Sequence, residues 1–268
     1  MTMSNRLSRI VIAVMLVVVI VPIIPMVLWS FTGMWSFGQV LPDFTLQAWQ
    51  RTFATNSKVL EAMRNSLLMC AIVVPLSLVF SFYAAKNLGT RRFRGRRALQ
   101  LLLLVPSFVP QIALVFGMQR VFSQLGLYNN IPGVIVALLV FYVPYMTLLL
   151  SAVFENYDMD YEYQAASLGV SWWHILWHVT LPQVRSGVIV TCIFSFIGVW
   201  SAYLVVAAVA PPSFKTMSLL MFPMITTAAG GYAATACGAI LYIAPILAVL
   251  VVFSKLLVND ENRLDTGV

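Results

Sequence analysis

Apolar positions along the chain gather into six long runs, approximately Ile10–Phe31, Ser66–Ala85, Ala98–Met118, Pro132–Phe154, Gly187–Ala210 and Ala233–Leu256. Each reaches the roughly 20 helical residues that about 30 Å of hydrocarbon requires. Lipid offers free backbone groups no partner, so the runs are predicted to be helices. The first run follows Arg6 and Arg9. Its apolar core is longer than that of a secretory signal and no small-residue cleavage site follows, so it reads as a retained span. Prolines lie in or beside several runs. Pro106 and Pro110, four apart in VPSFVPQ, predict a bend near the middle of the third run that frees carbonyls beside Gln111.

Composition strengthens this picture. The chain is 61% hydrophobic and only 9% charged, against about 45–50% apolar and about 25% charged in soluble domains. An all-α integral membrane protein with six transmembrane helices is expected. The three cysteines, Cys70, Cys192 and Cys237, all lie in apolar stretches without short spacing, so they read as buried small residues.

Charge then sets an orientation. With the N-terminus in the cytoplasm, the inside segments hold Arg6, Arg9, Lys86, Arg91, Arg92, Arg94, Arg96, Arg97, Arg185, Lys255 and Arg263, eleven of the sixteen basic residues. Both termini are therefore expected in the cytoplasm. The cluster GTRRFRGRR reads as a topology and headgroup anchor, not a nucleic-acid site. In the first outside loop, LQAWQRTF is an amphipathic stretch suited to an interface or to an external partner. The outside segment 211–232, broken by Pro211, Pro212, Pro223, Gly230 and Gly231, is too interrupted to span.

No catalytic set emerges. All nine acids fall in loops and tails, which argues against proton or ion coupling within the spans. His174 and His178 are four apart, but Ile175 stands where a zinc protease would carry its Glu, and no third ligand is near; no metal site is expected. No glycine-rich phosphate loop with Lys-Ser/Thr is present, so ATP and any other cofactor are expected elsewhere than on this chain. That leaves the polar segment Tyr157–Arg185. It combines four acids at or near its start (Glu155, Asp158, Asp160, Glu162), a small-residue patch (Ala165, Ala166, Ser167, Gly169), a Trp-rich run and Leu181-Pro182. Small residues at helical spacing allow close approach of another surface. A path with no energy source of its own would receive work there.

These residues resemble the E-A-A-x-x-x-G loop of permease subunits in binding-protein-dependent ABC importers. Gly169 precedes Pro182 of the motif's L-P by 13 positions. Tyr163, Gln164 and Ala165 then fall at the E-A-A positions, of which Ala165 matches, and Glu162 lies one position before. LEAMRNSLLMC, FYAAKNLGTRRFRGRR and SFIGVWSAYLVVAAVAPPSFKTMSLLMF are similar to other segments of the same family. "SLGVS…VTLP" looks closer to the polyamine, amino-phosphonate and opine branch, whereas Trp200 and Tyr203 are similar to sugar permeases of the maltose type.

The resemblance implies a type I importer permease with a cytoplasmic coupling-helix loop. Residues 1–64 would form the N-terminal helix and periplasmic loop, 65–258 the core permease domain and 259–268 a cytoplasmic tail. It implies ATPase coupling through Glu162, Tyr163, Gln164, Ala165, Ala166, Gly169, Leu181 and Pro182. The implied partners are two ATPase subunits carrying ATP and Mg, a second permease copy or homologue, and a periplasmic binding protein, in a bacterial inner membrane. The cargo would be a small organic solute such as a sugar, polyamine or amino-phosphonate. Polar and aromatic groups inside spans nominate Gln111, Ser195, Trp200, Ser201 and Tyr203 for the path. An autonomous secondary transporter or channel, and a membrane scaffold without transport, are the alternative classes.

Overall fold

A computed structural model describes residues 9, 11–12, 14–15, 17–18, 20–33, 43–54, 57–227 and 231–265. Among the described residues it is helical throughout, with no strand beyond an isolated bridge between Thr32 and Phe44. The helices are α1 (Ile23–Ser30), α2 (Gln47–Thr52), α3 (Lys58–Thr90), α4 (Arg96–Phe108), α5 (Gln111–Gln124), α6 (Ile131–Phe154), α7 (Asp160–Ser167), α8 (Trp172–Trp200), α9 (Tyr203–Val209), α10 (Met217–Thr227) and α11 (Gly231–Asp265). Two compact units emerge, Met1–Met63 with Met217–Pro245, and Arg64–Thr216 with Ile246–Val268.

Among the described residues, α3, α6, α8 and α11 are each long and apolar enough to cross a membrane. The pair α4 and α5 passes the same test together, giving up to five. The predicted first run falls partly outside the described residues, and its last part is α1. The other runs differ from expectation in instructive ways. At 33 residues α3 extends about 50 Å, well beyond about 30 Å of hydrocarbon. The third run is not a single bent helix. Pro110 pushes Val109 into extended backbone (φ −78°, ψ 133°), which ends α4, and the axis turns by 97° into α5. Pro106 remains inside α4. The fifth run starts earlier and stops earlier than predicted. α8 begins at Trp172 and breaks at Ser201–Ala202, where Ser201 Oγ returns to the carbonyls of Ile197 (2.8 Å) and Gly198 (3.2 Å).

In the unit Met1–Met63 with Met217–Pro245, the amphipathic stretch LQAWQRTF yields α2, with Trp49 stacked on Phe53 at 5.9 Å. Part of the segment 211–232 forms the short helix α10, which runs through Pro223 where the sequence predicts a break, and is buried at Met217, Ser218 and Met221. The larger unit is organised around α6. Asn130 caps it, accepting from Gly133 N at 2.7 Å, and Pro132 sits in the first turn, where a missing N–H costs nothing. Its far end enters a core cluster of Ala85, Leu150, Phe154, Val184 and Val188. Phe154 meets Phe82 edge-on at 5.3 Å and Tyr157 at 5.6 Å. This core joins the ends of α3 and α6 to the middle of α8, beside the segment Tyr157–Arg185, and so fixes the base on which that segment stands.

Candidate functional site

The segment Tyr157–Arg185 folds as two helices with a tight turn between them. Asp158 Oδ1 accepts from Asp160 N at 2.9 Å to start α7, and Asp160 and Glu162 place negative charge in its first turn, where the helix dipole favours it. α7 ends in a Schellman turn. Gly169 N donates to Ala166 O at 3.0 Å and Val170 N to Ala165 O at 3.2 Å. Gly169 takes φ +77°, the left-handed conformation that residues with a Cβ adopt only at a cost. α8 then starts at Trp172. Its second turn, Leu176–Thr180, is π-helical. Pro182 follows, whose missing N–H and crowding ring disturb the regular ladder just there.

Glu162 is the hub. Lys86 Nζ of α3 reaches both of its oxygens, Oε1 at 2.7 Å and Oε2 at 2.6 Å. Tyr157 Oη donates to Oε1 at 2.5 Å, and Thr180 Oγ1 to the same oxygen at 2.5 Å. The side chains of Lys86 and Glu162 are only 15% and 12% exposed. Three elements therefore meet on one carboxylate: the end of α3, the first turn of α7 and the π-helical turn of α8. Burial pushes the Glu162 carboxyl upward, but hydrogen bonds from Lys86, Thr180 and Tyr157 and the Lys86 charge outweigh it and hold the carboxyl below its ordinary value. Burial and the bond to Glu162 push the Tyr157 phenol up, so it stays a donor.

Two clefts flank the hub. One, about 450 Å³, is apolar and is lined by Phe82, Trp172, Leu176 and Trp177, with Lys86 and Glu162 at its edge. The other, about 510 Å³, is polar and is lined by Arg92, Arg96, Glu155, Asp158 and Asp160; Arg96 pairs with Glu155 at 2.5 Å.

The predicted coupling residues divide into two sets. Glu162 faces inward and Ala165 and Leu181 are half-buried, whereas Tyr163, Gln164, Ala166, Gly169 and Pro182 are exposed. Tyr163 is 61% and Leu168 83% exposed, so the outward face of this loop carries large uncovered side chains. A Cβ built on Gly169 meets nothing within 4 Å. His174 and His178 stack at 3.8 Å, and among the described residues no group of three His, Cys, Asp or Glu could hold a metal. The residues nominated for the path are not gathered into one visible site. Ser195 is enclosed by its own chain at 0% exposure and Trp200 at 1%, with Trp200 stacked on Phe196 at 6.0 Å. Gln111, at the start of α5, and Ser201, at the break after α8, are exposed, and Tyr203 opens α9 half-buried. α9 packs against α5 through Gln119 Nε2, which donates to Ala208 O at 2.7 Å. Sequence reasoning missed Lys86, Tyr157 and Thr180 as partners of Glu162. Lys86 carried only a topological signal there, as one cation in a basic loop.

Comparison with known proteins gives a consistent picture. The family described as "Binding-protein-dependent transport system inner membrane component" matches residues 77–260. The diacetylchitobiose uptake system permease protein NgcG of Streptomyces coelicolor is 26% identical, over 97% of this chain and 89% of its own length. The spermidine/putrescine transport system permease protein PotC of Escherichia coli is 24% identical over 86% of each chain. Among solved structures, a bacterial ABC transporter involved in the import of the acidic polysaccharide alginate superposes with a TM-score of 0.73 at 20% identity, covering 95% of this chain and 98% of that one. A chain of the MetNI methionine ABC transporter gives 0.60 at 15% identity, covering 75% and 95%. These structural likenesses concern the fold.

Proposed function

The chain belongs to the family of binding-protein-dependent transport system inner membrane components, and from that premise we propose how it works as the permease component of a binding-protein-dependent ABC importer. The segment Tyr157–Arg185 faces the cytoplasm together with both termini, and α7 is the coupling helix that docks on an ATPase subunit. Two such subunits carry the ATP and Mg. Their closure pushes α7 and switches a path enclosed with a second permease. A periplasmic binding protein delivers the solute on the opposite side.

The observation that carries this reading is the two-sided character of α7. Its inner side is fastened to the permease through Glu162, while Tyr163, Gln164, Ala166 and Leu168 face outward. An exposed apolar side chain at the tip of an otherwise hydrogen-bonded loop suits a protein surface. Docking is tested by co-purification. The cognate ATPase subunits should be retained by the wild-type chain and lost on Leu168→Glu or Gly169→Arg. Solute uptake by the purified chain alone, without ATP, would overturn the reading.

The cargo is a small organic solute of the sugar or polyamine kind, in line with what the names of NgcG and PotC state for those proteins. Within this range a neutral, hydroxyl-rich solute is favoured. No Asp or Glu occurs in the sequence of α6 or α8, so these spans carry no counter-charge for a polycation, whereas Trp200 and Tyr203 flank the break after α8. Mass spectrometry of the solute carried by the cognate binding protein tests this, and a polyamine there would overturn it.

A further inference from the structure

We propose that Lys86 is a positioning residue for transport, its ion pair with Glu162 being the joint that makes α7 and α3 move as one body. The inference rests on the reading of α7 as the coupling helix. It goes beyond that reading by naming how a push on α7 reaches the spans.

α7 has eight residues, none of them buried. A helix so short is marginal on its own, and without a buried apolar face it has little packing to hold it. A force on its outer face would be lost in slippage unless something ties it down. The chain supplies two ties. One is the Schellman turn at Gly169, which leads into α8. The other is the Glu162 hub, and within it only Lys86 connects to α3. Tyr157 lies in the turn just before α7, and Thr180 belongs to α8. Lys86 suits this task. Its ammonium is a compact charge with several donors on a long stem, so it can hold both carboxylate oxygens from a helix 76 residues away in sequence. Charge-assisted hydrogen bonds are the stronger kind, and this pair is largely shielded from water and salt. The attachment at Thr180 adds a second consequence. A π-helical turn is a weak point in a helix, so displacement of Glu162 also bears on the place where α8 can yield.

The test uses the complete transporter, with its ATPase subunits, in lipid nanodiscs. Spin labels are placed at Tyr161→Cys on α7 and Val79→Cys on α3, both exposed positions, on a background lacking the three native cysteines. The distance distribution between them is measured without nucleotide and after trapping with ATP and vanadate. In the otherwise wild-type complex the distance should stay narrow and unchanged, because both helices move together. In Lys86→Met it should at least double in width and shift on trapping, with ATPase co-purification retained. The charge exchange Lys86→Glu with Glu162→Lys should narrow it again, which a merely structural loss would not do. If Lys86→Met fails to fold, Tyr157→Phe keeps the ring against Phe154, removes one donor and should widen the distribution to a lesser degree. A Lys86→Met complex that binds ATPase and keeps the wild-type distribution overturns the joint while leaving the coupling reading intact. So does a charge exchange no narrower than Lys86→Met. Absence of ATPase from the wild-type complex overturns the coupling reading and the joint together.

Discussion

The seam where α3 and α8 meet the end of α6 and the loop Tyr157–Arg185 lie side by side, yet they use glycine for opposite reasons. At the seam, a Cβ on Gly89 would lie 2.5 Å from Phe154 Cβ and 2.6 Å from the carbonyl of Ser151. One on Gly187 would collide with the Val153 side chain. Close approach of the helices is what these glycines provide, and in membranes it takes the place of the hydrophobic drive available in water. Gly169 instead faces open space and is there for its φ of +77°. The first region is held by shape, spread over many contacts. The second is held by one turn geometry and one charged hub. A shape-held region resists local change until it fails, whereas a region held at two points can be displaced as a unit.

The largest effect that could break this comparison is at the seam. Gly89→Ala places a methyl against backbone that cannot yield, at a cost of about 1–3 kcal/mol of stability. Thermal unfolding in detergent should show a clear fall in midpoint, and an unchanged midpoint would mean the seam is not tight. In the hub, Tyr157→Phe removes one hydrogen bond to a charged acceptor, at a cost of roughly 1.5 kcal/mol, the low end for such bonds because the group is only partly buried. The same unfolding experiment, with limited proteolysis of the segment 157–185, checks it. Gly169→Ala meets no steric obstacle and should lose only about 1 kcal/mol, the cost of a left-handed residue bearing a Cβ. Its midpoint should fall less than that of Gly89→Ala, and the reverse order would sink the distinction drawn between the two glycines.

The smallest effect is that of pH near neutrality. The Glu162 carboxyl titrates below its ordinary value. Its contribution is therefore fully present above the ordinary carboxylate value and is lost as pH falls through the lowered one. Fluorescence of Trp172, Trp173 and Trp177, in a variant without the other tryptophans and with His174→Gln and His178→Gln so that no imidazole titrates beside them, should stay constant across the neutral range and change only in acid. A transition close to neutral pH would show that the ion pair is not what holds the carboxylate.

Much of this protein is written in its residue pattern. Long apolar runs specify helices in lipid because the backbone has no other partner there. Pro110 predicts a bend in the third run, though not that the bend is a helix end, and Gly169 closes α7 because it follows the small helical residues Ala165, Ala166 and Ser167 and takes positive φ cheaply. These are properties of a residue and its neighbours in sequence, so they are legible without a structure. The kinship with importer permeases was legible for the same reason: spacing between Gly169 and Pro182 is a local quantity.

Other features were decided only by tertiary structure. Nothing local marks Ser201–Ala202 as a break, since neither residue is a glycine or a proline; α8 ends there in a fold where α9 packs on α5. Ser195 is polar in a span and so was nominated for the path, but the packing of this chain encloses it. Lys86 and Glu162 are 76 residues apart, and in the sequence each is one charge among several in a polar stretch. Which cation meets which carboxylate depends on where α3 ends relative to α7, set by the core of Ala85, Leu150, Phe154, Val184 and Val188. Sequence determines the elements and their turns because those follow from short-range sterics and hydrogen bonding. Pairing of charges across elements follows from packing, and only the folded chain shows it.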